Sequence, residues 1–146
     1  MIIRTMIAND YSRVYDLWCN TKGMGLNSID DSEDGIRRYL KRNPSTCFVA
    51  EKDGKLLGAI LSGHDGRRGY IYHTAVIESA RSQGIGGKLL EASLNALAQA
   101  GISKVALVVF EHNEIGNSFW EKAGFSKRND LIYRNKSLKD VTRIDT

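Results

Sequence analysis

The chain has 146 residues, 42% hydrophobic and 26% charged, enough for a single domain with a real core and too few for two ordinary ones. No stretch approaches the roughly 18 apolar residues of a membrane span, and no N-terminal signal pattern is seen, so a cytoplasmic protein without a membrane partner is expected. The formal net charge of +4 suits a polyanionic ligand or nucleic acid and does not by itself choose between them.

Residues 2–5 read as a first strand, and Asn9 or Asp10 is placed to cap the helix that follows. Tyr11, Val14, Tyr15 and Trp18 fall at i, i+3, i+4 and i+7, which gives that helix one apolar face. Gly23 and Gly25 end it. A second helix starts near Asp31 or Ser32, with acids in its first turn and Arg37, Arg38, Lys41 and Arg42 toward its end, as the helix dipole favours. Ile36, Tyr39 and Leu40 form its inward face, and Asn43-Pro44 stops it. Residues 46–51 and 56–62 are strands joined by the tight Asp53-Gly54 turn. Residues 70–76 form the next strand, so three antiparallel strands make a meander. Cys19 and Cys47 are isolated, lack metal-ligand spacing, and are expected as reduced thiols without a metal.

The loop Arg81-Ser82-Gln83-Gly84-Ile85-Gly86-Gly87-Lys88 comes next. Gly84, Gly86 and Gly87 leave the backbone bare enough for a ligand to approach. The helix that follows, from about Ile85 to Ala100, carries apolar residues at 85, 89, 90, 94 and 97. Its first N–H groups have no helical acceptor and lie at the positive end of the dipole. Strand, bare loop and helix start together make an anion site suited to phosphate. A plain steric turn is the alternative reading of the glycines. Gly101 caps the helix. Residues 104–110 are apolar without alternation, which predicts a strand buried on both faces and reached by a right-handed parallel crossover. Asn113 begins a further helix, with Ile115, Phe119 and Ala123 inward and Gly124 at its end. Residues 131–135 are the expected last strand.

Arg81-x-x-Gly84-x-Gly86 resembles the signature of the GCN5-related N-acetyltransferases, the GNAT family. The approach through 63–76 and the block Asn113-x-x-Gly116-Asn117-Ser118-Phe119-Trp120-Glu121-Lys122-Ala123-Gly124-Phe125 are similar to the family in the same order. The resemblance implies a GNAT-like α/β fold: a mixed sheet of six to seven strands with about four helices. It implies acetyl transfer from acetyl-CoA to a small-molecule or peptide amine in a ternary complex, with no metal and no nucleic acid. By that resemblance main-chain groups of Ala75 and Val76 pair with the pantetheine arm. The segment Ser82, Gln83, Gly84, Ile85, Gly86 and Gly87 holds the pyrophosphate, and Arg81 and Lys88 add charge. Asn113, Asn117 and Trp120 face the cofactor. A homodimer is common in the family. A non-catalytic acyl-CoA sensor is the alternative function, and a basic nucleic-acid module a third.

Direct attack needs a neutral amine. A lysine-type ammonium is about 4.6 kcal/mol short of that at pH 7, an α-amine only about 1 kcal/mol. The sequence departs from the family at the usual acid and base. Trp120 stands where many members carry a tyrosine acid, and Val108 where some carry a glutamate base. An indole N–H donates a hydrogen bond but is no acid at neutral pH. Tyr11, Tyr15, Tyr72 and Tyr133 are substitutes for the acid. His73, on the strand beside the expected acetyl group, is the favoured base; a histidine merely satisfied by its neighbours is the other reading. His64 with Asp65, and Glu111 with His112, rank behind it.

Overall fold

The computed structural model describes residues 1–144. Five strands form a mixed sheet in the order β1-β3-β4-β5-β6: β1 (Ile2–Thr5), β3 (Phe48–Lys52), β4 (Lys55–His64), β5 (Gly69–Val76) and β6 (Val105–Ala106). All neighbours pair antiparallel except β5 and β6, which are parallel. Among the described residues four α-helices, α1 (Tyr11–Cys19), α2 (Glu33–Arg42), α3 (Ile85–Gln99) and α4 (Glu114–Lys122), complete the α/β fold expected from the sequence. Two short strands, β2 (Leu26–Asn27) and β7 (Arg143–Ile144), pair apart from the main sheet.

Strand alternation divides the core between the two faces of the sheet. Val49, Ala59 and Leu61 face α1 and α2, where they meet Val14, Leu17, Trp18, Ile36 and Leu40. Their neighbours Ala50 and Ile60 face α3, where they meet Ile85, Leu89 and Leu90. Local signals behave as read. Asp53 and Gly54 turn with φ of 52° and 76°. The Ser32 hydroxyl accepts from the Gly35 amide at 3.0 Å and caps α2.

Four expectations need correction. Asp10 is the N-cap residue of α1, but its carboxylate accepts no amide of that helix; it takes the Ile7 amide at 2.9 Å just upstream. It is also drawn to Arg4 at 2.8 Å and Arg13 at 2.9 Å, because a buried charge needs charged partners more than a helix needs a cap. The strand expected over 104–110 pairs only at Val105 and Ala106, opposite Gly69 and Tyr70. Beyond that the chain leaves β5, and Val108 is 60% exposed rather than buried on both faces. Residues 131–135 are not a strand. With β6 ended at Ala106 there is no neighbouring edge for them to join, and Leu131, Ile132 and Tyr133 lie exposed. In α4, Phe119 packs inward with Trp120, whereas Ile115 and Ala123 face solvent.

Candidate active site

The loop between β5 and α3 is built from unusual backbone. Residues Glu78–Ala80 make a single 3-10 turn, then Ser82 and Gly84 adopt φ of 66° and 78°. Gly84 is the N-cap of α3, and the first helical bond runs from the Lys88 amide to the Gly84 carbonyl at 3.1 Å. The amides of Gln83, Gly84, Gly86 and Gly87 have no acceptor among the described residues. Ile85 is buried at 3% exposure and anchors the turn from below, while Arg81, Ser82, Gln83, Gly84, Gly87 and Lys88 are exposed. An anion therefore meets open donors, the positive end of a 15-residue helix and two cationic side chains.

The three glycines serve different ends. Gly84 needs its left-handed backbone, and Cβ atoms on Gly84 or Gly87 would meet nothing within 4 Å. A Cβ on Gly86 would lie 3.2 Å from the Phe119 ring, so Gly86 lets α4 pack closely on α3.

Beside the loop the sheet opens. After Tyr70 and Ala106, β5 runs on to Val76 with no partner on that side, while residues 107–110 diverge. The edge of β5 at Ala75 and Val76, next to the loop, is therefore left without a strand partner on that side. The Arg81 Nε–H donates to the Val76 carbonyl at 3.1 Å, which ties loop to strand. On the far side of the loop lies an open groove of about 690 Å³, lined by Arg13, Lys55 and Arg81 but also by Asp16, Asp53 and Glu78. Its charge is mixed, so it is less suited to a polyanion than the bare amides.

A β-bulge shapes the middle of β5. Ile60 pairs with Thr74 but Ser62 pairs with Ile71, so Tyr72 and His73 together oppose Leu61. Were the same residues a regular strand, Ile71 and Ala75, four apart, would share a face. Instead Ile71 faces α3 and Ala75 faces α1. Tyr72 and His73 consequently project to the same side: the Tyr72 ring lies 5.7 Å from Tyr39 and the His73 ring 4.8 Å from Trp18.

There His73 Nε2 meets Asp31 Oδ1 at 2.7 Å, with side chains 12% and 5% exposed. Asp31 is held on both sides. Its Oδ2 accepts the Asn27 amide at 2.8 Å, and its carbonyl accepts the Tyr11 hydroxyl at 2.7 Å. In sequence Asp31 carries only a helix-start signal, and nothing local ties it to a histidine 42 residues on. Thr74, whose buried hydroxyl has no partner among the described residues, was equally silent.

The remaining candidates are placed as follows. Asn113 caps α4, its Oδ1 accepting from Gly116 at 2.9 Å. Asn117 donates to the carbonyls of Phe110 and Asn113 at 3.1 and 2.9 Å, which shapes the turn before α4. Trp120 stands edge-on between Phe119 and Phe125. His64 and Asp65 accept backbone amides of their own turn. His112 stacks on Phe110 at 5.5 Å. Burial, with Tyr15 and Asp31 nearby, pushes the Tyr11 phenol up to about 12; burial and Tyr133 also raise Tyr72. Both phenols stay protonated at neutral pH. Burial pushes the Cys47 thiol up to about 12, and it donates to the Ser62 carbonyl at 3.1 Å. Among the described residues no three His, Cys, Asp or Glu side chains gather to hold a metal ion, and no helix is long and apolar enough to cross a membrane.

Comparison with known proteins supplies the family. The family model of the acetyltransferase (GNAT) family matches residues 11–125. Acetyltransferase SG1711 of Sodalis glossinidius is 31% identical over 140 residues, which cover 94% of this chain and 96% of that protein. Among solved structures, Ard1 from Thermoplasma volcanium superposes with a TM-score of 0.76 at 23% identity, covering 86% of this chain and 82% of its own. The aminoglycoside acetyltransferase meta-AAC0020 from a soil metagenomic sample, solved with sisomicin, gives 0.72 at 21% identity, covering 94% and 96%. These two bear on the fold alone. Fold and sequence together define an acetyltransferase. The chain belongs to the GNAT family, whose acetyl donor is acetyl-CoA.

Proposed function

We propose that the protein moves the acetyl group of acetyl-CoA to an amine by direct attack in a ternary complex, with His73 as the base. The observation that carries this reading is the run of acceptor-free amides at Gln83, Gly84, Gly86 and Gly87, continuous with the open side of β5 at Ala75 and Val76. The loop binds the pyrophosphate, helped by Arg81 and Lys88. The free edge of Ala75 and Val76 holds the pantetheine arm by main-chain bonds. The thioester then reaches the bulge, where His73 takes the proton that an ammonium must lose. Trp120 and the two asparagines support this frame: Trp120 braces Phe119 and Phe125 at the end of α4, and Asn113 and Asn117 set the turn before it.

The acceptor is an amine, from a small molecule or a peptide. Assay of a panel of small amines, aminoglycosides and peptides for thiol release from acetyl-CoA tests the reading. At least one class gives turnover above buffer hydrolysis. Tight acetyl-CoA binding with no turnover on any amine would instead mark a sensor.

A further inference from the structure

We infer that Asp31 is a positioning residue that fixes the His73 ring in one tautomer, with the proton on Nε2 and the lone pair of Nδ1 presented to the acceptor amine. The inference rests on the proposed role of His73 as base and adds the atom that acts and the group that sets it.

The geometry is one-sided. Only Nε2 of His73 has a hydrogen-bond partner among the described residues, the Asp31 carboxylate at 2.7 Å. A carboxylate accepts and does not donate, so the shared proton belongs to Nε2, and in the neutral ring Nδ1 keeps its lone pair. The ring cannot easily turn over. Trp18, fully buried, closes on it edge-to-face at 4.8 Å. Asp31 cannot swing either, with Oδ2 fixed by the Asn27 amide and its carbonyl by Tyr11. Three elements thus converge on one imidazole: the bulge that aims it, the loop before α2 that orients it and α1 that walls it.

The proton balance follows. The acceptor ammonium gives one proton to Nδ1, and the imidazolium formed is stabilised by Asp31 across Nε2. The neutral amine nitrogen bonds to the thioester carbonyl carbon, and the C–S bond breaks. The second proton lost from nitrogen goes to the leaving sulfur, which departs as the thiol. The Nδ1 proton returns to water. Nothing is oxidised or reduced.

Asp31→Asn separates positioning from structure. The amide oxygen keeps the bond from the Asn27 amide, and the NH₂ then faces His73. It donates to Nε2 and forces the ring proton onto Nδ1, which removes the base while the fold is kept; the same logic makes an Asp-to-Asn change costly in other His–Asp pairs. The first measurement needs no mutation. Ring ¹⁵N spectra of the wild-type protein, with His73 assigned by its loss in His73→Gln, are predicted to show protonated Nε2 and unprotonated Nδ1. The second compares Asp31→Asn with wild type on whichever amine the panel identifies. A fall in kcat of about tenfold or more, an unchanged KM for acetyl-CoA and a switch to the Nδ1–H tautomer are expected. An Nδ1–H ring in wild type, or full kcat in Asp31→Asn, overturns the inference. Absence of turnover in wild type with the Nε2–H ring intact would defeat the proposed activity and leave the Asp31–His73 pairing standing.

Discussion

The residues that matter most are those whose surroundings force a choice. His73 is one. Its proposed role as base requires that its removal affect turnover and not the grip on the donor. His73→Ala is predicted to lower kcat roughly a hundredfold, with acetyl-CoA affinity by calorimetry unchanged. Equal rates in mutant and wild type from pH 6 to 9 would strike it from the mechanism. Gly87 is another. It lies in the first turn of α3, where a Cβ meets nothing within 4 Å. Gly87→Glu keeps the helix, since glutamate is the better helix former, and sets a carboxylate beside the anion site. Acetyl-CoA affinity should fall about tenfold or more, near 1.4 kcal/mol, with the melting temperature held or raised. Gly86→Glu is the instructive contrast. Its Cβ meets the Phe119 ring at 3.2 Å, so it damages packing as well as binding and cannot separate the two.

Among elements, those announced by local chemistry were legible. The Ser32 cap, the Asp53-Gly54 turn and the Gly101 stop are written in a few adjacent residues, and α2, the β3–β4 hairpin and α3 fall where the sequence puts them. Ser32→Ala removes the bond to Gly35 and should cost about 1 kcal/mol in chemical unfolding; no change would mean that the α2 end is held by packing alone. What failed depends on distant partners. Residues 104–110 have the composition of a buried strand, but pairing stops where β6 leaves β5, and no local signal marks that point. The expected strand over 131–135 failed with it, for want of an edge. The bulge in β5 was hidden too. It is a register shift against β4, and it decides that His73 meets Asp31 rather than α3. The glycine turn before α3 was legible because glycine spacing is local; the Asp31–His73 pair was not, because 42 residues separate its members.

Over the whole molecule, the sheet divides two jobs. Its α1–α2 face carries Asp31, Trp18 and His73, and its split edge and α3 carry the anion loop. The N-terminal end is tied by Asp10, whose carboxylate contacts Arg4 and Arg13 while Glu51 joins the same two arginines. Burial works against ionising Asp10, but hydrogen bonds from Arg4, the Ile7 amide and Arg13 outweigh it and hold its carboxyl below the ordinary value. A depressed folded value means that this stability is complete above the unfolded pKa near 4 and is lost as pH falls through the lower, folded one. Asp10→Asn should therefore lower stability by about 3 kcal/mol at pH 7 and flatten the fall in melting temperature below pH 4. Parallel acid profiles for mutant and wild type would show that the network contributes nothing to folding.

The account turns on where the donor is held. Titration of the ¹⁵N-labelled protein with acetyl-CoA reads this directly from amide chemical shifts. The largest changes are predicted at Gln83, Gly84, Gly86, Gly87 and Lys88, followed by Ala75 and Val76. Saturable binding that leaves those amides unmoved, and shifts the groove around Arg13 and Asp53 instead, would contradict it.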